Sequence, residues 1–409
     1  AKRLSAYGGD WKRYFAADSP GWAELAKETR PVQVISPFVL NPERQIPRPD
    51  FERLAEICGD RFLGFAAHEW GYGCVSDWEQ NSGPRSRHEA RLALEEFFRR
   101  IVENGYGRVY AGDGYCNFHH LAYKLGASVC YAEVGENIPC TPVQFAFARG
   151  AARQFGRPWG TYLSAWFKNS VTTYNEERAQ DLRLGDRVWS GAVAGHSVSL
   201  TKRLLFGGWL AGAMLVHHES DSFAESVFVE KHASEPGVRL SPIGKVAEEW
   251  FDFTRRHPDR GSPWAPVAFL IDYEHGWWFA TDKAWGLFPR TRAEKSLDRC
   301  FATIFPWGGS LDDEQAYMVN GPLGDVFDVL VTEAPTEVFD QYPVLWLLGS
   351  PLLDEVMVRR LREYVEKGGT LVMNVSDALA RAWLAEAGGS VESETRYAEG
   401  AGCCLDGFA

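Results

Sequence analysis

Strand-like and helix-like segments alternate along this chain, and three strand-like apolar runs each end in a glutamate. The three acids are Glu69, Glu136 and Glu219. An acid directly after a buried strand is costly unless the strand opens onto a polar cleft. In a (β/α) barrel, that cleft is the face at the carboxyl ends of the strands. The sequence therefore predicts an α/β protein: a (β/α)8-type TIM barrel, complete or degenerate within this chain, followed by a second, flavodoxin-like α/β domain.

The first 257 residues contain six predicted strands, at 32–40, 61–69, 107–113, 127–134, 159–167 and 212–219. Hydrophobic periodicity predicts helices at 22–29, 50–58, 87–104, 118–125, 141–155, 196–210 and 242–256. A complete barrel needs eight strands. Three alternatives remain open: two strands lie in the loops, with 187–193 as one candidate, the barrel begins upstream of this chain, or the barrel is degenerate.

The proline- and glycine-rich segment at 257–266 marks the best domain boundary in the chain. Strands are predicted after it at 267–271, 326–331, 344–348 and 370–375, with helices at 293–304 and 352–367. This succession is typical of a flavodoxin-like sheet, but it carries neither a GxGxxG motif nor a P-loop, so nucleotide binding is not predicted. The predicted boundaries are a barrel at 1–257, a linker at 258–265, the second domain at 266–396 and a tail at 397–409.

Composition limits the class of partner. The net charge of the 409 residues is −12, and no basic stripe offsets it, which argues against a nucleic-acid partner. No apolar run approaches the roughly 18 residues of a membrane span. The eight cysteines include no CxxC pair, and no signal peptide is visible in the sequence. The chain begins Ala1-Lys2 without Met, as a processed or trimmed chain would. The compartment therefore stays open between the cytoplasm and the periplasm or exterior.

Segments around the boundary and in the second domain carry a resemblance to a known family. Residues 266–274, 342–356 and 362–372 resemble the trimerisation domain of family 42 β-galactosidases, which has an amidotransferase-like fold. The helix that begins near Ser241 is similar to the closing barrel helix of that family, and 135–159 resembles uncharacterised relatives of such hydrolases. The resemblance implies a glycoside hydrolase barrel upstream and a homo-oligomer, namely a trimer.

The predicted barrel departs from that family at its acid/base pair. The family's Asn-Glu pair has no clear counterpart, and His68-Glu69 and Gly135-Glu136-Asn137 are the nearest segments. β-Galactosidase activity therefore does not carry over.

Paired carboxylates on different strands are what cleavage of a glycosidic bond requires. We predict Glu136 and Glu219 as the catalytic pair, with Glu69 as a third carboxylate or alternate acid. The alternatives are a helix-capping role for Glu136 and a surface loop for Glu219. Glu133, inside its strand, is expected to pair with a basic residue.

Polar and aromatic residues near the strand ends are predicted to bind substrate: His68, Trp70, Asp113, Asn137, Trp166, His196 and His218. Sixteen tryptophans are unusual, and several near strand ends are candidate sugar platforms: Trp70, Trp78, Trp159, Trp166, Trp277 and Trp278. Adjacent strand residues point to opposite faces, so His217 and His218 cannot easily hold one ion. We predict no metal and no cofactor.

The sequence therefore predicts a glycoside hydrolase with a carbohydrate substrate. Two other functions remain open. One is a non-catalytic glycan-binding protein on a hydrolase scaffold, in which the carboxylates only hydrogen-bond hydroxyls. The other is a polysaccharide lyase or another carbohydrate-active enzyme, which tyrosine and histidine bases near a cleft would favour.

Overall fold

The computed structural model of the chain describes residues 2–5, 16, 18–29, 32–35, 47–67, 78, 83–114, 118–135, 141–164, 166–167, 170–174, 189–192, 194–218, 239–276, 283–304, 326–374 and 378–386. Within these ranges the strands form two larger parallel sheets and two small sheets.

The first sheet has seven strands, which lie side by side in chain order and are all parallel. They are β1 Lys2–Ser5, β2 Val32–Ile35, β3 Phe62–Ala67, β4 Val109–Gly114, β5 Cys130–Val134, β6 Trp159–Leu163 and β10 Leu215–His218. In the chain, three further strands lie between β6 and β10: β7 Trp166–Phe167, β8 Ser170–Thr172 and β9 Trp189–Gly191. They form a separate small sheet. The candidate strand at 187–193 therefore forms, but outside the main sheet. The prediction from the sequence missed β1, because it assigned only the helix at 22–29 to this part of the chain.

In the described part of the chain, seven helices accompany the first sheet: α1 Gly21–Lys27, α2 Arg48–Cys58, α3 Arg87–Asn104, α4 Phe118–Lys124, α5 Thr141–Phe155, α6 Val198–Leu210 and α7 Pro242–Arg256. Serine side chains begin three of them, since Ser86, Ser197 and Ser241 accept the N–H three residues on. Helices α3, α5 and α7 begin and end where the sequence predicts.

The strand order of the first sheet determines where its helices lie. Right-handed crossovers between strands in chain order place every helix on the same face, as in a (β/α) barrel. Within the described ranges β1 and β10 are the two edges of the sheet. The described chain is therefore a seven-stranded (β/α) sheet with one face free of helices.

The second sheet contains β11 Val267–Ile271, β14 Phe327–Val331, β15 Val344–Leu347 and β16 Thr370–Val372. Its order, β14-β11-β15-β16 with parallel neighbours, is that of a flavodoxin-like sheet. The short strands β12 Lys283–Ala284 and β13 Phe288–Pro289 pair antiparallel. The accompanying helices are α8 Arg292–Ile304, α9 Thr336–Phe339, α10 Glu355–Glu366 and α11 Ala378–Glu386.

Helix α5 packs between the two sheets. Thirteen of its 15 residues are buried, so it lacks the exposed stripe of an ordinary surface helix. One side of it shares the hydrophobic core of β5 and β6. On the other side, Gly150 lies so close to β14 that a Cβ there would be 2.0 Å from the carbonyl oxygen of Val329. Glycine at this position allows the helix to contact the strand directly.

The outer edge of β14 has its backbone groups satisfied by side chains of α4 and α5. The Phe327 carbonyl accepts from Arg149 Nη2 at 2.8 Å, and the Val329 carbonyl accepts from His120 Nε2 at 3.0 Å. The Val331 N–H donates to the side-chain oxygen of Gln154 at 3.1 Å. An open sheet edge can pair with another chain, and these bonds cover it within the molecule.

Asp328 is the charged centre of this contact, and its side chain is fully buried. Its carboxylate accepts from Arg149 Nε at 2.6 Å, Arg153 Nη1 at 2.6 Å and the Tyr342 hydroxyl at 2.7 Å. Burial and the nearby carboxylate raise the pKa of Tyr342, so its hydroxyl stays protonated and donates. A carboxylate in an apolar interior is tolerated only with such partners.

We predict that Asp328→Ala strongly destabilises the protein, because it leaves two guanidinium groups without their buried counter-charge. The free energy of unfolding should fall by about 3–5 kcal/mol, measured by urea denaturation. The matched control is Glu249→Ala, which removes the exposed ion pair with Lys202 and should cost less than about 1 kcal/mol. Equal losses in the two variants would contradict the prediction.

Two adjacent histidines of α4 are buried and neutral. Burial lowers the pKa of both His119 and His120 to about 3. His120 is held by the Val329 carbonyl, whereas neither ring nitrogen of His119 has a hydrogen-bond partner within the described ranges. The unfolded chain binds a proton at each near an ordinary histidine pKa of about 6.5. The unfolded state therefore holds more protons between about pH 3 and 6.5, and stability falls as the pH falls through this window.

We predict that His119→Leu makes this pH dependence shallower, because one of the two protons taken up on unfolding is lost. Between pH 4 and 6, the slope of the unfolding free energy should decrease by up to about 1.4 kcal/mol per pH unit. Urea denaturation at several pH values measures it. A wild-type slope in His119→Leu would show that this ring titrates normally in the folded protein.

Candidate active site

A row of three polar side chains crosses the helix-free face of the first sheet. The register aligns Glu133 of β5 with Tyr162 of β6, and Tyr162 with His217 of β10. All three are buried, with exposed fractions of 5%, 6% and 6%. Buried titratable groups on neighbouring strands mark a candidate functional site, because a purely structural core would place apolar groups there.

The rings of this row are packed edge to face. The Tyr162 and His217 centroids are 4.6 Å apart at 80°, and those of Tyr131 and His217 are 6.3 Å apart at 82°. Val129, Tyr131 and Tyr162 form an apolar cluster with Leu215. Tyr131 and Leu215 lie two residues before Glu133 and His217, so the face changes from apolar to polar towards the carboxyl ends of the strands. That is the end at which barrel enzymes carry their chemistry.

The opposite face of the same strands packs under the helices. Val134 and Leu163 belong to the main hydrophobic core, and His218 is in register with Leu163. Because strand side chains alternate between faces, His218, predicted to bind substrate, lies on the helix-covered face. The histidine of the helix-free face is its neighbour, His217.

His196, also predicted to bind substrate, is placed at the end of β5. A Cβ added to Gly135 would lie 3.0 Å from His196 Nε2 and 2.8 Å from the Ser164 carbonyl oxygen. Glycine therefore lets the imidazole ring rest against the backbone at this point. The contact brings His196 next to the residue that directly precedes Glu136.

Two other elements hold His196 in this place. The Thr172 hydroxyl of β8 donates to the His196 carbonyl at 3.0 Å, and Ser197 caps the start of α6. His196 is almost fully buried. The small sheet and α6 therefore position the imidazole of His196 over the carboxyl end of β5, which is distant in sequence.

Asp113 lies near the end of β4, where the ladder to β5 shifts between Ala111 and Gly114. Such a bulge bends the strand and often occurs beside active sites. Trp166 lies in β7. The side chains of Asp113 and Trp166 are outside the described residues, so their orientation stays a prediction.

The predicted catalytic residues themselves lie outside the described ranges, as do three predicted binding residues: Glu69, Glu136, Glu219, His68, Trp70 and Asn137. The structure does describe the chain positions directly before two of the acids. Gly135 precedes Glu136 and His218 precedes Glu219. Strands β5 and β10 both flank β6, so their ends are about 10 Å apart at an ordinary strand spacing.

Tyr162 and His217 were not among the site residues predicted from the sequence. Glu133 was predicted to pair with a basic residue and was given no role in the site. The sequence does indicate which of these side chains share a face of a strand. Tyr131 and Glu133 lie two residues apart, as do Leu215 and His217, so each pair lies on one face. Cross-strand register, which brings them into one row, is not local information. The platform interpretation of Trp159 is wrong, because its indole is buried in the core 5.6 Å from the Phe145 ring.

Other chemistries find little support in the described part of the chain. No cluster of three or more His, Cys, Asp or Glu side chains there could hold a metal ion. Burial raises the pKa of Cys130 and that of Cys300, the latter to about 12, so neither is a thiolate near neutral pH. No helix of the described chain is long and apolar enough to cross a membrane.

At the end of the second sheet where flavodoxin-like proteins bind ligands, described side chains that follow β11 contact the segment that follows β15. Asp272 accepts from His275 Nδ1 at 2.6 Å and from the Leu352 N–H at 2.5 Å. Burial acts to raise the pKa of Asp272, but the charge and hydrogen bonds of His275 and the Leu352 amide bring it below its ordinary value. His275 Nε2 lies 3.0 Å from the Gly349 carbonyl. These contacts occupy the crevice between β11 and β15.

Comparison with known proteins gives only distant likenesses. No protein-family model matches the chain, and no curated protein matches it. The solved structures that it is similar to include a GH42 β-galactosidase, a second β-galactosidase and an α-L-fucosidase.

Gan42B, a GH42 β-galactosidase, is 14% identical, with a TM-score of 0.42 over 81% of this chain and 54% of that one. A β-galactosidase from the Antarctic haloarchaeon Halorubrum lacusprofundi is 13% identical, with a TM-score of 0.43 over 88% and 56%. α-L-Fucosidase isoenzyme 2 from Paenibacillus thiaminolyticus is 12% identical, with a TM-score of 0.39 over 80% and 44%. The chain spans about half the length of these structures, and likenesses this low do not assign an activity to it.

We predict that Gly135→Ala disturbs the end of β5, because the new Cβ must displace the His196 ring or the Ser164 carbonyl. Overpacking of this kind costs about 1–3 kcal/mol of unfolding free energy. The His196 ring resonances should shift as well. The matched control is Gly191→Ala, where the nearest neighbour of a Cβ is that of Ala194 at 3.9 Å, and the cost should stay within about 0.5 kcal/mol. Unchanged stability and resonances in Gly135→Ala would refute the contact.

Proposed function

We propose that this chain is the carbohydrate-cleaving part of a glycoside hydrolase. The observation that carries the proposal is the buried row of Glu133, Tyr162 and His217 on the helix-free face, near the carboxyl ends of parallel strands in chain order. In a (β/α) barrel this is the catalytic face. The proposal includes a (β/α) barrel, complete or degenerate, at 1–257, the linker at 258–265 and the second domain at 266–396.

Glu136 and Glu219 are the proposed catalytic pair. They follow β5 and β10, whose ends are about 10 Å apart because both strands flank β6. Carboxyl separations of about 5–5.5 Å belong to retaining enzymes and about 6.5–9.5 Å to inverting ones. The backbone spacing is compatible with either outcome. Glu69 follows β3, on the other side of β4, and is the third carboxylate.

In the proposed reaction, one carboxylic acid protonates the glycosidic oxygen as the bond to the anomeric carbon breaks. The other carboxylate attacks that carbon or activates a water molecule that attacks it. The acid needs a raised pKa to be protonated near neutral pH, which a water-poor site and a neighbouring carboxylate both supply. In this proposal His196, whose ring lies against Gly135, hydrogen-bonds a sugar hydroxyl.

The test is hydrolysis of a panel of aryl glycosides, followed by substitution of the two acids. Glu136→Gln and Glu219→Gln keep shape but remove the ionisable group, so each should lower kcat by about 10²–10⁴-fold. Glu69→Gln should lower kcat by as much only if Glu69 is itself one of the two catalytic acids. Glu103→Gln, an exposed change on α3, is the control and should keep normal turnover. Near-normal turnover in Glu219→Gln would refute the assignment and leave Glu69 with Glu136 as the pair.

A second candidate is a polysaccharide lyase, favoured by the packing of Tyr162 against His217, since a lyase uses such groups as bases. The same panel separates the two functions. A lyase leaves an unsaturated sugar that absorbs ultraviolet light, and a hydrolase does not. Binding without any cleavage would indicate the glycan-binding alternative.

The proposal also includes a homo-oligomer, a trimer on the family resemblance. Leu347 and Leu348, at the end of β15, are buried in the protein's own core and do not contribute to such an interface. Leu352 is 68% exposed and is the described residue of that segment that could contribute to an interface.

A further inference from the structure

We infer that the surface formed by Leu210, Met214 and Trp264 is a two-fold contact through which this chain binds a second copy of itself. We call this surface the linker patch. Leu210 ends α6, Met214 directly precedes β10, and Trp264 lies in the segment between the two larger sheets. The inference goes beyond the proposed function, because it does not depend on any hydrolysis.

The side chains of the linker patch are unusually exposed for large apolar residues. Trp264 is 75% exposed, Met214 is 68% exposed and Leu210 is 61% exposed. Among the large apolar side chains that the structure describes, Leu352 is the one other that is exposed to this degree. Apolar side chains that gather at one exposed place, instead of being scattered singly, mark an interaction site.

The backbone beneath the linker patch is held in one conformation. A Cβ placed on Gly212 would lie 3.1 Å from the ring of Pro263, so the two segments touch, and each patch residue is at most two positions from this contact. The Arg260 guanidinium donates to the carbonyls of Trp209, Gly212 and Ala213 at 2.7, 2.8 and 2.6 Å. A surface that is fixed before binding loses little conformational entropy on association, which favours a stable contact.

The two segments that form the linker patch are free of charged side chains. Residues 204–216 and 261–271 contain no Asp, Glu, Lys or Arg, in a chain whose net charge is −12. Two copies of so acidic a protein repel each other, and a neutral surface lets them touch without bringing like charges together. Depletion of charge and enrichment in Trp and Met are also the composition of an interface core. The charge pattern therefore favours a second copy as the occupant.

The size of the linker patch suits a modest contact between two copies. The exposed fractions correspond to roughly 400 Å² of apolar surface, which is the size of a functional patch on a monomer. This is about half of the ~800 Å² that each partner buries in a standard complex, so neighbouring polar atoms supply the rest. Tryptophan is the residue type that most often dominates such a contact, and the aliphatic Leu210 and Met214 beside it suit a protein surface better than a sugar ring.

The position of the linker patch leaves the candidate active site accessible. Met214 lies at the amino end of β10, whereas the candidate site lies at the carboxyl ends of the strands, about 13 Å away along this four-residue strand. Two copies that associate through the patch therefore both present their candidate sites outwards.

The test is the mass of the protein in solution, measured by light scattering and by sedimentation velocity at micromolar concentration. We expect an even number of 45.9 kDa chains: two, or six if the proposed trimer also forms. Trp264→Glu places like charges against each other across the two-fold axis, and it should weaken this association at least about thirtyfold, as the loss of a dominant tryptophan does. Leu92→Glu, an equivalent change at an exposed leucine of α3, is the control and should keep the wild-type mass.

A charge exchange tests whether the patch meets the same patch of the second copy. Trp264→Glu and Trp264→Lys should each dissociate into a species with half as many chains, because each variant meets its own charge. An equimolar mixture of the two should reassociate, since Glu then faces Lys. Both variants should melt with the wild-type protein, because the side chain that they replace is exposed.

The inference is overturned if the wild-type protein is a monomer or has an odd number of chains, or if Trp264→Glu keeps the wild-type mass. It is also overturned if the charge-exchange mixture does not reassociate, because the patch then meets a different surface. Retention of a monomeric wild type on a polysaccharide, lost in Trp264→Glu, would assign the patch to a glycan and overturn the inference as well. None of these results bears on hydrolysis, and Leu352→Glu separately tests the trimer.

Discussion

The buried carboxylate of Asp328 is the interaction on which the arrangement of the two sheets depends. It lies on β14 of the second sheet, and Arg149 and Arg153 reach it from α5 of the first part of the chain. Neither partner could be buried alone at acceptable cost, because the desolvation penalty of each ion is several kcal/mol. The charges therefore require the two parts to associate in this one register.

This contact extends to the backbone on both sides. Arg149 bonds the β14 carbonyl of Phe327 in addition to Asp328, and Arg153 also donates to the Pro263 carbonyl in the segment between the sheets. Gly150 removes the side chain that would otherwise separate helix and strand. A helix buried on nearly all sides is ordinarily apolar all round. Helix α5 instead carries arginines, and their charges are paired with Asp328 inside the protein.

The same helix supports the candidate active site from behind. α5 packs on the face of β5 and β6 that carries Val134 and Trp159, while the opposite face of those strands carries Glu133 and Tyr162. Helix α5 therefore contacts both the second sheet and the strands that carry the polar row. His196 reaches that region by another route, through β8 and α6.

The sequence by itself determined the features that depend on neighbouring residues. Helices α3, α5 and α7 match their predicted bounds, since apolar periodicity is a local signal and a serine caps the start of α3 and of α7. Tertiary structure alone decided the others. The segment Lys2–Ser5 is a strand because β2 pairs with it, and its own residues do not announce this. Register between β5, β6 and β10 put Glu133, Tyr162 and His217 in one row and turned His218 away. The burial of Arg149 and Trp159 likewise depends on surfaces that meet only after the chain has folded, and a single sequence does not encode those distances locally.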